Sequence, residues 1–276
     1  MAVYDRAVLM CSPKHFTVRD VKNPFMAGSV VDHDRAVRQW EALRSAFVEA
    51  GLRVEVLDAV DDLEDMVFTA NQVFVGAAQG RPFVVPSSMR HASRRREVPH
   101  YVAWFERHAY EIVDAGLEGE YLEGHGDLLW HPGRDRVWAG YGFRSSRGGV
   151  ERFAGVMRER GIEVTPLQLV DETFYHLDTC FAPLSEEAAL VFAPALDDEA
   201  MAALSAAWPR LYRVDRTDAL GFSCNGVVAG RRYVSSPLSP ALAGILRNEG
   251  LEPLDVDLSE FEKAGGSAFC LKTFVA

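Results

Sequence analysis

Five stretches of this chain carry apolar residues at the spacing of an amphipathic helix. In the first stretch the apolar side consists of Ala36, Val37, Trp40, Leu43 and Phe47. The predicted helices span about 33–50, 95–109, 148–160, 197–207 and 239–249. Residue types that favour helix starts stand near three of them, namely Asp32, Ser146 and Ser239, and Pro240 suits a first helical turn.

Short strand-like runs alternate with these helices. One run follows each helix directly, as at 51–56, and another follows a polar elbow, as at 73–75. The last run, 271–275, is predicted to pair with residues 7–10. The unit recurs about every 50 residues, and a unit that cannot bury its own apolar face must stack on its neighbours. The pattern therefore predicts one α/β domain over residues 1–276, with five units closing around a central axis.

Composition narrows the possible function classes. The net charge is −11, from 29 basic and 40 acidic residues, which argues against a general nucleic-acid binder. No run reaches the roughly 18 apolar residues of a membrane-spanning helix, and residues 1–6 lack the features of a signal peptide. The four cysteines, Cys11, Cys180, Cys224 and Cys270, form no C-x-x-C pair. This pattern is typical of free thiols in a reducing cytoplasm.

The elbows carry most of the chemically active side chains. In chain order they contain Phe68-Thr69-Ala70-Asn71, Glu123-Gly124-His125-Gly126-Asp127, His176-Leu177-Asp178-Thr179, Cys224-Asn225-Gly226 and Gly265-Gly266-Ser267-Ala268-Phe269-Cys270. Equivalent elbows of a closed repeat would converge, which would place a thiol, an imidazole and several carboxylates around one pocket.

Cys270 is the predicted nucleophile. A thiolate is a strong side-chain nucleophile near neutral pH. The preceding pair, Gly265-Gly266, allows a close backbone approach or a positive φ. A carboxylate-rich pocket would raise the pKa of Cys270 when empty, and a cationic substrate would lower it again.

These motifs, in this order, resemble those of the guanidino-group-modifying superfamily, and the resemblance covers the whole chain. That superfamily has a five-bladed α/β-propeller fold and includes arginine deiminases, dimethylarginine hydrolases, arginine dihydrolases and amidinotransferases. The segments 23–26 and 68–71 are similar to those of the dimethylarginine hydrolase and arginine dihydrolase branch. The resemblance implies a hydrolase that acts on free arginine through an amidino-cysteine intermediate, with methylated arginine as the alternative substrate.

The resemblance implies catalytic roles for four residues. Cys270 would attack the guanidinium carbon, and His176 would carry protons. Glu123 would pair with His176 or with the substrate. Asp178 would bind guanidinium nitrogens. No metal or cofactor is implied.

The resemblance also implies a set of substrate-binding residues. By position, Arg90 and Arg144 would bind the α-carboxylate, and Asn23, Phe68 and Asn71 would contact the substrate. Arginine deiminases and the well-known dimethylarginine hydrolases carry an acidic residue where this chain has Asn71, whereas the arginine dihydrolase branch has Asn there. An amide can donate to a ureido carbonyl, so the chain could hold citrulline for a second hydrolysis to ornithine.

Other interpretations stay open at this point. Alone, Cys270 would be a small buried hydrophobe, His176 a core histidine and Glu123 a turn residue. Asp65 is interpreted as a solvated acid, with a contact to the substrate's ammonium group as the alternative. A propeller of this kind also occurs in a ribosome anti-association factor without a catalytic centre, and an amidinotransferase would pass the amidino group to an amine. The expected partner is a small guanidino amino acid rather than nucleic acid or membrane, and a homodimer is the default oligomer.

Overall fold

Five long helices dominate the helical part of the structure, a computed structural model that describes residues 7–275. Residues 1–6, on which the prediction of no signal peptide rests, and residue 276 lie outside the described part. The α-helical segments are α1 (His33–Glu49), α2 (Ala92–Arg95), α3 (Val98–Arg107), α4 (Gly124–Asp127), α5 (Arg147–Glu159), α6 (Asp198–Ala207), α7 (Arg216–Leu220), α8 (Pro240–Asn248) and α9 (Ser259–Glu262).

The long helices begin where their capping residues predict. Asp32 accepts the backbone N–H of Arg35 at 3.0 Å. Ser146 and Ser239 cap α5 and α8 in the same way. The predicted helix at 95–109 is divided instead into α2 and α3, and Pro99 lies in the first turn of α3, where a missing N–H costs no helical hydrogen bond.

The strands form five separate three-stranded sheets. They are β1 (Ala7–Cys11), β2 (Arg53–Leu57), β3 (Val73–Ala78), β4 (Arg81–Pro86), β5 (Glu111–Ile112), β6 (Leu128–Trp130), β7 (Arg136–Tyr141), β8 (Glu163–Gln168), β9 (Phe181–Pro183), β10 (Ala188–Val191), β11 (Arg210–Arg213), β12 (Val227–Ala229), β13 (Arg232–Ser235), β14 (Glu252–Asp255) and β15 (Thr273–Val275). The sheet orders are β15-β1-β2, β3-β4-β5, β6-β7-β8, β9-β10-β11 and β12-β13-β14.

Every sheet is built in the same way. The first two strands of each order are antiparallel, and the last two are parallel. A long helix joins the two parallel strands, because parallel neighbours need a crossover connection. In the first sheet, Ala7 pairs with Val275, so the predicted pairing of the chain's two ends is confirmed.

The apolar face of each long helix packs on the sheet that it crosses. In the first unit, Trp40, Leu43 and Phe47 of α1 share one buried cluster with Val8 and Met10 of β1. Each such side chain contributes roughly 1.5–3 kcal/mol to stability when fully buried. Within residues 7–275, no helix is both long enough and apolar enough to cross a membrane.

This architecture brings two sets of loops to one end of the sheets. In each sheet the two parallel strands end at the same edge. The elbows leave the outer parallel strands at 58–72, 113–127, 169–180, 214–226 and 256–272. The segments that lead into the long helices leave the middle strands at the same edge, and they include 12–32, 87–97 and 142–146.

Candidate active site

Cys270 lies at the end of the last elbow with its side chain almost fully buried. Its Sγ donates to Asp178 Oδ2 at 3.1 Å and accepts from Asn225 Nδ2 at 3.2 Å. Burial, followed by the neighbouring Asp178 carboxylate, raises the pKa of the Cys270 thiol well above its usual value. Burial and this carboxylate therefore disfavour the thiolate, which is the direction expected for a carboxylate-rich pocket.

The paired glycines allow the chain to pass close to its neighbours. Gly265 has φ +85°, which is favourable for glycine alone, and a Cβ there would lie 2.7 Å from Tyr175 Oη. A Cβ on Gly266 would lie 2.7 Å from the Phe68 ring and 3.0 Å from the Cβ of Cys270. Side chains at these two positions would displace the thiol from its place.

A second cluster joins His176, Glu123 and Arg144. Glu123 Oε2 accepts from His176 Nε2 and from Arg144 Nη1, each at 2.8 Å. Glu123 Oε1 accepts the backbone N–H of Arg90 at 2.9 Å. Burial alone would raise the pKa of Glu123, but Arg144 and then His176 hold it well below its usual value. The imidazole is thus oriented by a permanent carboxylate.

Asp178 is near His176 in sequence and near the Cys270 thiol in space. It follows His176 by two residues, within a single helical turn over Leu177–Thr179. Burial raises the pKa of Asp178 to about 7, and its Oδ1 has no hydrogen-bond partner among the described residues. Cys270 Sγ bonds to Asp178 and Asn225 and makes no hydrogen bond to His176 within residues 7–275.

The side-chain oxygen of Asn71 accepts a hydrogen bond, whereas its side-chain nitrogen has no partner among the described residues. Its Oδ1 accepts from Arg94 Nη1 at 3.0 Å, whereas its Nδ2 has no partner within the described residues. Arg94 also donates to the carboxylate of Glu97, and burial raises the pKa of Glu97 to about 7. An N–H in this position can donate to a bound carbonyl oxygen.

Arg90 and Arg94 occupy different surroundings. Arg90 was expected to join Arg144 at the substrate's carboxylate. Its side chain is exposed, and its guanidinium lies 5.3 Å from the centre of the Tyr121 ring. Arg94, four residues later in α2, is buried and lines the cavity at Cys270. The turn at 91–95 directs residue 94 inward, which the position of Arg90 in the sequence did not reveal.

A small cavity lies over the thiol. It holds about 10 Å³, room for about one water molecule. Its walls are Asn23, Met26, Asp65, Phe68, Asn71, Arg94, Arg144, Tyr175, Ala264 and Cys270. A larger cleft of about 110 Å³ between α5 and α6 has no cysteine or histidine in its lining.

The loop at 12–32 covers this cavity. Asn23 Nδ2 donates to Ala264 O at 2.9 Å, and Arg144 Nη2 donates to Lys22 O at 3.1 Å. Lys22 Nζ lies 2.9 Å from Asp65 Oδ2. Asp65 is only 2% exposed, so the interpretation of this residue as a solvated acid is wrong.

Sequence reasoning missed three buried polar residues here. Arg94 lies four residues after the selected Arg90, and Asn225 lay within a recognised elbow, but neither was selected. Lys272 is fully buried two residues after Cys270, with Nζ 3.2 Å from the centre of the Phe269 ring. Residues 7–275 contain no group of three or more His, Cys, Asp or Glu side chains that could hold a metal ion.

Comparison with known proteins gives one matching family. The sequence model of the family "N,N dimethylarginine dimethylhydrolase, eukaryotic" matches residues 12–274. The chain is 36% identical to the bifunctional arginine dihydrolase/ornithine cyclodeaminase ArgZ of Synechocystis sp., over 97% of this chain and 37% of ArgZ. It is 35% identical to the N(G),N(G)-dimethylarginine dimethylaminohydrolase of Mycobacterium tuberculosis, over 96% of this chain and 84% of that protein.

The fold of this chain is also that of a solved domain. The N-terminal domain of ArgZ, in a cysteine-to-serine variant bound to its substrate, aligns with a TM-score of 0.92 and 35% identity, over 98% of both chains. That domain is described as an arginine dihydrolase. A second variant of it, covalently bound to a reaction intermediate, aligns with the same TM-score.

Proposed function

This chain belongs to the N,N-dimethylarginine dimethylhydrolase family, and from that membership we propose that it hydrolyses the guanidinium group of free arginine to ornithine. It is a cysteine-dependent hydrolase acting on guanidino C–N bonds. The proposal adds the substrate, the extent of hydrolysis and the roles of individual residues. It further assigns residues 1–276 to one catalytic domain, in which the five sheets are the blades of a closed α/β-propeller.

One observation carries the assignment of the site. A buried thiol lies 3.1 Å from the Asp178 carboxylate, in a cavity that also contains Asp65, Arg94 and Arg144. Carboxylates suit the cationic guanidinium and ammonium groups of arginine, and guanidinium groups suit its carboxylate. The pocket therefore complements a free amino acid with a guanidino side chain.

The proposed first half-reaction forms a C–S bond. Asp178 binds the substrate's guanidinium, and that positive charge lowers the pKa of the Cys270 thiol. The thiol proton passes to His176, and the thiolate attacks the guanidinium carbon to give a tetrahedral centre. His176, oriented by Glu123, gives a proton to one nitrogen, and ammonia leaves as the C–N bond breaks. An amidino-thioether on Cys270 remains.

The second half-reaction uses the same histidine as a base. His176 takes a proton from water, the water oxygen attacks the amidino carbon, and the C–S bond breaks. Citrulline is formed, and the thiol regains its proton. A second cycle on the ureido carbon, again with water, releases the other ammonia together with carbon dioxide and ornithine. The sum is arginine and two waters giving ornithine, carbon dioxide and two ammonia.

The geometry favours Arg94 over Arg90 as the partner of Arg144 at the α-carboxylate. Both Arg94 and Arg144 line the cavity, and each is about 4% exposed. Agmatine, which lacks the carboxylate, should then be a poor substrate, with kcat/KM lower by roughly ten- to a thousand-fold.

Asn71 supports arginine dihydrolysis over the alternative, dimethylarginine hydrolysis. Its unpaired Nδ2 can donate to the ureido carbonyl of citrulline, which a carboxylate at this position would repel. The test is to supply arginine, dimethylarginine, citrulline and agmatine separately, and to measure ammonia, methylated amine, citrulline and ornithine. Two ammonia per arginine, with ornithine, is the expected result. If citrulline accumulates, the proposed extent of hydrolysis is wrong. If only methylated arginine is turned over, the proposed substrate is wrong.

A substitution at this position tests the same point. Asn71→Asp should accumulate citrulline, because an anion favours the guanidinium and disfavours the neutral ureido group. Asn248→Asp, the same change at the exposed end of α8, is the control and should keep the wild-type product ratio. Transfer of the amidino group to added amines would indicate an amidinotransferase, and a complete absence of turnover would indicate a non-catalytic propeller. A homodimer and a cytoplasmic location stay predictions from the sequence.

A further inference from the structure

Asn225 makes several hydrogen bonds to the segment 265–270, which carries Cys270. It is fully buried. Its Oδ1 accepts the backbone N–H groups of Ser267 and Cys270, at 3.0 and 3.2 Å. Its Nδ2 donates to Cys270 Sγ at 3.2 Å and to the backbone O of Asp178 at 3.0 Å. Its backbone O accepts from Phe269 N at 2.8 Å.

These neighbours fix the orientation of the Asn225 amide. Two backbone N–H groups can only donate, so the atom that faces them is the oxygen. A backbone carbonyl can only accept, so the atom that faces Asp178 O is the nitrogen. The amide therefore directs an N–H at the sulfur and not a lone pair.

We propose that Asn225 is a positioning residue that holds Cys270 Sγ opposite Asp178 and stabilises its thiolate through the Nδ2–H bond. This rests on the proposed role of Cys270 as the nucleophile. A hydrogen bond donated to the charged form favours that form, and the sulfur carries full negative charge only as the thiolate. Asp178 has the opposite effect until a cationic substrate neutralises it.

Several charged groups surround the thiol, and Asn225 is the neutral side chain that donates to its sulfur. Facing Cys270 are Asp178 from the 169–180 elbow, Lys272 from its own segment, Tyr175, and Asp65, Arg94 and Arg144 across the cavity. Among the residues described, the backbone of Ser267 and the side chains of Asp178 and Asn225 bond to Sγ. Of the two side chains, Asn225 is the donor, and the Ser267 backbone favours the thiolate as well.

The elbow has other bonds to hold its own shape. Asn225 N donates to Phe222 O at 2.9 Å, and Tyr233 Oη donates to Ser223 O at 2.7 Å. The Nδ2 bonds are not part of that set, because they reach only Cys270 and Asp178. A purely local structural role would not use them.

Two substitutions separate the donor from the acceptor side of the amide. Asn225→Asp keeps an oxygen for the N–H groups of Ser267 and Cys270, but it replaces the donor with a second carboxylate at the sulfur. Asn225→Ala removes both sides. Asn248→Asp is the matched control on the surface, and circular dichroism checks the fold of each variant.

The first measurement is the rate at which iodoacetamide alkylates Cys270, followed by mass spectrometry between pH 7 and 9.5 without substrate. We expect the rate to fall about ten-fold or more in Asn225→Asp at pH 8, which corresponds to a rise of at least one unit in the thiol pKa. The alkylation rate should fall less in Asn225→Ala, and in Asn248→Asp it should match the wild-type rate.

The second measurement is kcat and KM for arginine from pH 6 to 9.5. In Asn225→Asp we expect kcat to fall about 10- to 100-fold at pH 7.5, with KM within about three-fold of wild type. The deficit in kcat should shrink as pH rises, because kcat reports groups that titrate in the substrate complex. An unchanged alkylation rate, or a deficit constant across pH, would overturn the proposal. Failure of the proposed function is a separate result, since turnover retained in Cys270→Ser would reveal it while the alkylation rates still report on Asn225.

Discussion

Glu123 accepts hydrogen bonds from an imidazole and a guanidinium at the same oxygen, each at 2.8 Å. Such a carboxylate fixes the ring of His176 and keeps one of its nitrogens as the donor to Glu123. At the scale of single residues, this arrangement supports the proposal that His176 is the acid and base of the reaction.

His176→Ala is expected to lower kcat by ~10²–10⁴-fold, the usual contribution of a positioned acid–base group. Because hydrolysis of the amidino-thioether also needs the base, mass spectrometry of a quenched reaction should find Cys270 carrying an added amidino fragment. His100→Ala, at an exposed position on α3, serves as the control. Equal rates for wild type and His176→Ala would make His176 a structural histidine.

Lys272 is an unusual charge to bury. Its ammonium lies between the rings of Phe269 and Phe274, 3.2 and 4.3 Å from their centres. Burial lowers the pKa of Lys272 from 10.5 to about 7. Between these values the unfolded chain binds a proton that the folded chain does not, so the free energy of unfolding rises with pH across this window.

Lys272→Met should remove that dependence. For wild type, this one group should raise the free energy of unfolding by about 2 kcal/mol between pH 7 and 9. Urea unfolding at both pH values measures the difference between wild type and variant. Lys14→Met, on the surface, should retain the wild-type slope. A variant with the same slope as wild type would mean that Lys272 stays charged in the folded protein.

At the scale of secondary-structure elements, the segment 265–270 depends on close backbone approach. Gly266→Ala would place a methyl group 2.7 Å from the Phe68 ring and 3.0 Å from the Cβ of Cys270. Overpacking of this kind costs about 1–3 kcal/mol, and a displaced nucleophile lowers the rate further. We expect kcat to fall at least about ten-fold and the melting temperature to drop.

A glycine within a helix provides the matched control for this change. Gly244 lies in α8, and a Cβ there would meet nothing within 4 Å. Gly244→Ala should therefore stabilise the protein by about 0.5–1 kcal/mol and leave kcat unchanged. If both alanine variants behaved alike, the close approach at Gly266 would have no bearing on the site.

At the scale of the whole molecule, the loop at 12–32 closes the cavity over Cys270. The cavity of about 10 Å³ has room for about one water molecule, so we expect this loop to move when a substrate enters. It is held by Asn23 to Ala264 O, by Lys22 to Arg144 and Asp65, and by the buried side chains of Phe16 and Met26. Val21 and Val30 within it are 64% and 80% exposed.

Hydrogen exchange should detect this opening. Amides of 12–32 are expected to exchange faster than those of β7, because few of them donate to a backbone carbonyl, whereas β7 is paired on both sides. Arginine added to Cys270→Ser should slow exchange in the loop several-fold, while α5, away from the site, should not change. Loop amides as protected as β7 without substrate would contradict an entry route through this loop.

The sequence by itself determined the elements and selected most residues of the candidate site. Helix periodicity and the capping residues Asp32, Ser146 and Ser239 act within a few residues, so the pattern located the five long helices within a few residues of their observed ends. The pairing of the two chain ends followed from the repeat. Cys270 was selected from its residue type and its elbow, whereas the roles of Glu123, Asp178 and Asn71 were implied by the resemblance to a known superfamily and stay predictions.

Only the tertiary structure decided which side chains meet. The inward direction of Arg94 depends on how one turn of chain folds after Arg90. The bonds from Asn225 to Cys270 join two elbows 45 residues apart. The burial of Asp65 and Lys272 depends on the loops and rings that cover them. Local propensity is encoded by neighbours in sequence, whereas solvent exposure, amide orientation and pKa are set by atoms that come together only when the five units pack.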